Sequence, residues 1–534
     1  MKQRSYALLA AATGTVLALT ACSTGGSSGS GGGEPVTDGT FKLALVADPG
    51  ALNPLMTAAS PAHQLARLSY DYLLHPDPDT GVTKPWLAEK WEETTTSASF
   101  TIRDGVTCND GSALTAQTVA DNVNFITNAA NKSALRGVYA PATATATATA
   151  DPATRTVTVT TPEPSPFLLL NLARIPIMCE AGLKDPTAAN KTTFGSGMFQ
   201  MTEAVANDHY SYVRRDGYNW GPDGTTSDTA GVPKNVVASI ITNNSTAANQ
   251  VLSGDLNAAA VSGPDQDRMN AANLDTVKQP APAGEMFFNH SPGNPTSDPA
   301  VRKALVQALN LDDLAEIFTA GRGTRSTTMV SIEPRACIYD SVAGNLPDFD
   351  TSAAAATLES AGWKVGADGK RSKDGTPLRI RMVYETFGDA TDAAADVAVN
   401  AWNDLGATVE LTSGDSNKIL DVALSGKDNT AWDVAWEPIN VALPSMLVPF
   451  LSGPVPAAGM NFASISNPAY DAAVTKASGL TGEDACAAWA DAESEIIKAN
   501  SAVPFADKIT TLYFNNAGLA FGRNFIGSAL RLYQ

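Results

Sequence analysis

From residue 40 to residue 534, apolar runs of strand length alternate with amphipathic segments of helix length, and no solenoid period repeats. That alternation restricts the chain to α/β lobes, sheets flanked by helices. A Ser/Gly tract at 23–33 has nothing to bury and precedes about 500 further residues, more than one core usually serves, so two or more domains are expected. Strands are expected at 41–46, 98–102, 236–241, 378–384, 408–411, 433–436 and 511–514. Helices are expected at 67–74, 86–91 (one turn), 115–129, 246–252, 393–405 and 485–499. A hairpin turning at Asp151-Pro152 should form a sheet edge over 145–159, and Asp298-Pro299 is a helix start, a cap followed by Pro.

The amino terminus reads as targeting. Lys2 and Arg4 precede an uncharged, mostly apolar stretch, 6–19, too short to reside across a bilayer. Leu19-Thr20-Ala21-Cys22 resembles the lipobox of bacterial lipoproteins, in which the Cys becomes the first mature residue and carries acyl chains. The expectation is a signal peptide at 1–21 and a lipidated flexible tether at 22–39, anchored through Cys22 on the extracytoplasmic face of the cell membrane. The tether also holds Gly25-Gly26-Ser27-Ser28-Gly29, a formal nucleophile-elbow match without the strand-turn-helix setting that chemistry needs.

The net charge of −19 repels phosphate backbones, so nucleic acid is not an expected partner. Four cysteines besides Cys22, at 108, 179, 337 and 486, are an even count for an oxidising compartment and allow three pairings, with four buried thiols as the alternative. No two stand at zinc-ligand spacing, and the four histidines, His63, His75, His209 and His290, match no metal or catalytic motif. Each histidine reads as a surface or satisfied polar residue. No enzyme activity, cofactor or metal is expected.

One region carries a specific resemblance. Trp86-Leu87-Ala88-Glu89-Lys90-Trp91, Phe100-Thr101-Ile102-Arg103-Asp104-Gly105-Val106, Asp110-Gly111 and Leu114-Thr115-Ala116 resemble the signature of family 5 solute-binding proteins, the oligopeptide and dipeptide receptors of ABC importers. Gly195-Ser196-Gly197-Met198-Phe199, Leu252-Ser253-Gly254-Asp255-Leu256-Asn257, and Phe288-Asn289 with Val301-Arg302-Lys303-Ala304-Leu305 extend it over nearly all of 40–534. It implies an α/β two-lobe periplasmic-binding-protein fold, type II and cluster C-like, with an extra subdomain. Lobe one would be 40–73, 189–288 and 502–534, the insert 74–188, and lobe two 289–501. Pairing within those units would join Cys108 to Cys179 and Cys337 to Cys486, and the second separation resembles a family disulfide.

The resemblance further implies a monomer that captures a small peptide in an interlobe cleft and hands it to membrane permease subunits. Closure is driven by contacts that exist only in the closed state. Carried over by position, the ligand site comprises Asp48; Phe288 and Asn289; Tyr384, Glu385 and Thr386; and Trp432, Trp436, Glu437 and Asn440. Peptide-binding members hold the ligand ammonium with an Asp three residues after the counterpart of Trp436, where this chain has Ile439. Glu437 is the nearby substitute, and an oligosaccharide, opine or metal chelate is the alternative ligand, as is sensing rather than import.

Overall fold

Two long strands, Asp275–Phe288 and Ala502–Phe514, pair antiparallel from Asp275 opposite Phe514 to Phe287 opposite Ala502. The computed structural model describes residues 33–77, 81–136, 146–333, 335–456, 458–521, 523 and 525–534. Among these the two strands form the centre of an eleven-stranded sheet. On one flank follow Ala258–Val261, Thr40–Leu45, Asn235–Ile240, His209–Arg214 and Phe199–Val205. On the other lie Val434–Trp436, Arg379–Glu385 and Thr408–Gly414.

The buried side chains divide accordingly. A first core contains Phe41, Phe100, Tyr212 and Leu530, and takes Val277, Leu512 and Phe514 from the long strands. A second contains Leu305 and Trp402, and takes Ala283, Met286, Phe288, Val503 and Phe505. It adjoins a third around Trp432, Phe462 and Trp489. The same two strands therefore pass from one lobe into the other. Pro280 and Pro282 are tolerated in the Asp275–Phe288 strand because its outer edge is unpaired until Met286. The pairing is irregular around Gly284, where an added Cβ would sit 2.5 Å from the Phe505 ring.

The insert builds its own antiparallel sheet, Ala88–Glu93, Ser97–Ile102, Thr156–Thr160 and Thr147–Asp151, packed against helix Ala116–Thr127. Thr115 and Thr118 form that helix's capping box. The expected hairpin is the sheet edge; 142–145 of its Ala/Thr tract, like 1–21, Cys22 and 23–32, lie outside the described residues.

Three expectations are corrected. The segment 86–91 is not helical: Ala88–Glu93 is a strand, because Trp91 pairs across from Phe100 and burial alternates from Lys90 onward. The expected helix at 67–74 lies earlier, at Ser60–Ser69 with Pro61 in its first turn, and Tyr70 turns extended before strand Leu74–Pro76. The end of the presumed tether is held, since Val36 N–H donates to Leu532 O at 2.9 Å and Gln534 N–H to Glu34 O at 3.0 Å. Elsewhere Gly254 closes helix Asn244–Ser253 at φ 82°, and Asp298 caps helix Pro299–Gln307 by accepting from Ala300 N–H at 2.9 Å.

Both disulfides form, Cys108–Cys179 and Cys337–Cys486, over separations of 71 and 149 residues. Each should stabilise by roughly 2–4 kcal/mol through the unfolded chain. For a form beginning after Cys22, thiol titration in denaturant should find no free thiol, and reductant should lower the melting temperature; four free thiols would reject the pairing. Gly284→Ala should cost about 1–3 kcal/mol by forcing Phe505 against Phe318 and Trp436, whose ring centroids lie 5.2 and 4.8 Å from its own. Chemical denaturation measures this, and an unchanged midpoint would contradict it.

Candidate functional site

A cavity of about 200 Å³ lies where the two lobes meet. The first lobe supplies His63 and Arg67 from helix Ser60–Ser69, then Tyr72, His75, Trp86, and Arg174 at the end of helix Leu168–Ala173. Ile526 of the carboxy-terminal segment adds an apolar wall. The second lobe supplies Ile332, Glu333 and Ala442.

A buried polar network fixes the first-lobe wall. The Asp71 carboxylate accepts from Ser196 Oγ (2.9 Å), Tyr218 Oη (3.0 Å) and Trp220 Nε1 (2.7 Å). Trp86 Nε1 in turn donates to Tyr218 Oη at 3.3 Å. Burial raises the Asp71 carboxyl while these three donors pull it down. Trp86 stands against Tyr72 at 5.5 Å and His75 at 6.2 Å between ring centroids, and His75 meets Phe521 edge-on at 5.4 Å. An aromatic wall hung on a satisfied carboxylate is rigid.

The charge of the cavity is set by its arginines. His63 Nε2–H donates to Thr57 O at 2.8 Å, and burial, with Arg67 close by, holds its imidazole below the usual value. Burial pushes His75 down to about 4. Both imidazoles are therefore neutral at pH 7. Arg67 and Arg174 are permanent cations on the first-lobe side. Beyond the backbone of its helix, the Arg67 side chain makes no hydrogen bond or ion pair with the described residues. Glu333, on the opposite wall, is paired with Arg523 at 3.0 Å. A chain of net charge −19 thus concentrates positive charge here.

A second, larger opening of about 770 Å³ lies along the seam between the insert and the second lobe. Phe167 borders it. Its backbone is left-handed (φ 60°), and its ring joins the second-lobe core 6.0 Å from Trp489, while Leu168 and Leu172 of the following helix are buried in the first. That helix runs from an interlobe aromatic contact to Arg174 in the cavity.

None of the ten residues expected from sequence is among those lining the 200 Å³ cavity. Asp48 ties first-lobe loops, accepting from Gly50 N–H, Asn207 N–H (2.6 Å) and Tyr210 Oη (2.8 Å). Phe288 is a fully buried core residue. Asn289 locks the crossing, its Nδ2 donating to Asn429 O (2.8 Å) and Trp432 O (3.0 Å). Tyr384 Oη donates to Asp392 at 2.8 Å, and Thr386 N–H to Gly414 O at 3.0 Å. Trp432 packs on Phe462, and Trp436 among Phe318, Tyr384 and Phe505. Asn440 is exposed. Glu437 and Glu385 are partly buried neighbours, and burial first, then repulsion from Glu385, pushes the Glu437 carboxyl up to about 7. The Ile439 N–H is engaged by Glu285 Oε2 at 2.7 Å.

The cavity residues that sequence reading missed carry faint signals. Arg174 interrupts the apolar run Leu172-Ala173-Arg174-Ile175-Pro176, a cation in an otherwise apolar segment. His63, Arg67 and Glu333 have no such mark.

With this geometry in hand, the chain can be set beside known proteins. The model of the bacterial extracellular solute-binding proteins, family 5, matches residues 82–454. The nickel-binding periplasmic protein of Escherichia coli (strain K12) is 25% identical over 422 residues, covering 75% of this chain and 76% of that one. The structure of NikA from Brucella suis with Fe(III)-EDTA superposes at TM-score 0.72 with 21% identity, over 93% of this chain and 100% of the other. The oligopeptide-binding protein AppA of Bacillus subtilis, in complex with a nonapeptide, superposes at 0.64 with 18% identity, over 94% and 100%.

Glu437 makes the pH dependence testable. Its folded carboxyl keeps a proton that the unfolded chain releases above about 4.5, so its contribution to stability falls as pH rises from there through about 7. Glu437→Gln should be the more stable form at pH 8, by about 1–2 kcal/mol after allowance for solvent screening, and should match wild type near pH 4.5. Denaturation midpoints of the two proteins across that range measure it; a constant difference would contradict the assignment.

Proposed function

The chain belongs to family 5 of the bacterial extracellular solute-binding proteins, the non-enzymatic receptors of ABC importers, and from that premise we propose that its ligand is a compact solute carrying a carboxylate group. The observation behind this is the pair of first-lobe cations, Arg67 and Arg174, facing a small cavity whose histidines are neutral. Arginine binds carboxylates through paired N–H donors, and in a partly dry cleft such charge-assisted bonds are the strong ones. Capture then favours closure, because a ligand touching both walls interacts with them together only when the lobes meet.

The volume, about 200 Å³, lies below the roughly 300–1,000 Å³ common for pockets that take drug-sized ligands. A dipeptide-sized solute or a metal chelate of carboxylates suits that space better than a long peptide. The similar proteins named above hold Fe(III)-EDTA, nickel or a nonapeptide, and both a carboxylate chelate and a short peptide offer the acid group. The ammonium end of a peptide is less well served. Ile439 stands where peptide receptors place an Asp, and the Glu437 carboxyl, held near 7, is only a partial counter-charge. Delivery from the extracytoplasmic face, by a monomer held through acylated Cys22, completes the reading.

Native mass spectrometry of the purified protein should recover a low-mass acid, and calorimetry with Ni(II)-EDTA, Ni(II)-histidine and Ala-Ala should show binding of at least one. Arg67→Ala and Arg174→Ala should each weaken that binding at least tenfold, since a charged hydrogen bond is worth about 1.5–3 kcal/mol. Retained affinity in both variants, or a recovered ligand without an acid group, would refute the proposal.

A further inference from the structure

The seam opening of about 770 Å³ plays no part in the function proposed above, yet its volume falls within the roughly 300–1,000 Å³ of ligand pockets. Its insert side presents Val82, Trp91 and Leu169, and its second-lobe side Ile338 and Leu480. Val82 and Ile338, large apolar side chains on opposite walls, are 60% and 47% exposed. The walls approach beside them, since a Cβ added at Gly81 would lie 3.8 Å from Ile338 Cδ1.

Both walls are built rather than loose. Glu93 Oε1 accepts from Leu169 N–H at 3.1 Å, which ties the strand Ala88–Glu93 to the helix Leu168–Ala173. Opposite, the Cys337–Cys486 disulfide and the bond from Tyr339 Oη to Glu493 Oε2, 2.8 Å, pin the loop of Ile338 to helix Gly482–Lys498. A wall held in place costs a ligand little ordering entropy.

Charge selects the occupant. The charged side chains among the described lining residues are Glu92, Glu93 and Glu483, and none of the three is in an ion pair with a described residue. The smaller cavity instead holds Arg67 and Arg174. We propose that the seam is a second binding site, for a small cation with an aromatic or branched apolar body. The body covers Val82, Trp91 and Ile338, and the cation sits among the acids. Such a solute touches both lobes, so it favours the arrangement in which they meet, as the ligand of the smaller cavity does. The two therefore bind with positive coupling. Ile332 lines the smaller cavity and Ile338, on the same loop, the larger.

Calorimetry with tryptamine, and with tryptophol as the same ring and chain ending in a neutral hydroxyl, tests the site. Tryptamine should bind about tenfold more tightly than tryptophol, because only the ammonium is drawn to the acids. Replacing both Glu92→Gln and Glu483→Gln, which are exposed positions, should weaken tryptamine by about fivefold or more. Ala487→Lys, at an exposed helix position lining the seam, should abolish its binding by placing an ammonium there. No tryptamine binding, equal affinity for the two probes, or tryptamine affinity unchanged in the Gln pair or in Ala487→Lys would overturn the site. With tryptamine saturating, the Kd of whichever of Ni(II)-EDTA or Ala-Ala binds wild type should fall about twofold or more, and an unchanged value would overturn the coupling. If neither of those binds wild type, the anionic reading of the smaller cavity fails, while the tryptamine arm still decides the seam site. Far-ultraviolet circular dichroism confirms that each variant is folded before either arm is read.

Discussion

The antiparallel pairing of Asp275–Phe288 with Ala502–Phe514 is the constraint on which the rest depends. One continuous sheet carries both lobes, so the hinge is made of the same hydrogen bonds that hold each lobe to it. Such strands bend where pairing is irregular, and the irregularity falls around Gly284, with Phe505 against it and Glu285 next to it. Glu285 is fully buried; burial, together with Asp507, Glu493 and Glu437 near it, drives its carboxyl well above the ordinary range.

Charge is distributed with a purpose that the average conceals. The chain carries 55 acidic and 36 basic residues, yet the interlobe cavity gathers Arg67 and Arg174. Two histidines beside them are kept neutral by burial, which leaves the arginines to set the field. Low-dielectric walls strengthen that field, and the aromatic pair of Tyr72 and Trp86 supplies such walls.

Closure is also a packing event. Phe167 holds a backbone conformation unusual for a bulky residue, and its ring reaches the Trp489 side of the other lobe. The six-residue helix behind it ends at Arg174. One short helix thus joins a cavity-lining arginine to the lobe contact, and the interlobe seam has two fixing points: an apolar one at Phe167 and an ionic one at Glu333.

Local sequence determined what depends on near neighbours. The α/β alternation, the Thr115 and Asp298 caps, the Gly254 stop and the Asp151-Pro152 hairpin follow from backbone sterics and short-range hydrogen bonds, and motif spacing carried the family resemblance. The segment 86–91 reads locally as a helical turn, whereas the partner that makes Trp91 a strand residue, Phe100, acts across a sheet. The cavity was the least legible part. Its walls come from residues 63–86, 173–174, 332–333, 442 and 526, which share no pattern along the chain. The expected residues Phe288, Asn289 and Trp432 lie at the crossing, where Asn289 ties the Trp432 segment to the long strand. Which side chains face the seam depends on how two cores dock about one pair of strands, and only the tertiary structure decides that, because the energy resides in contacts between segments hundreds of residues apart.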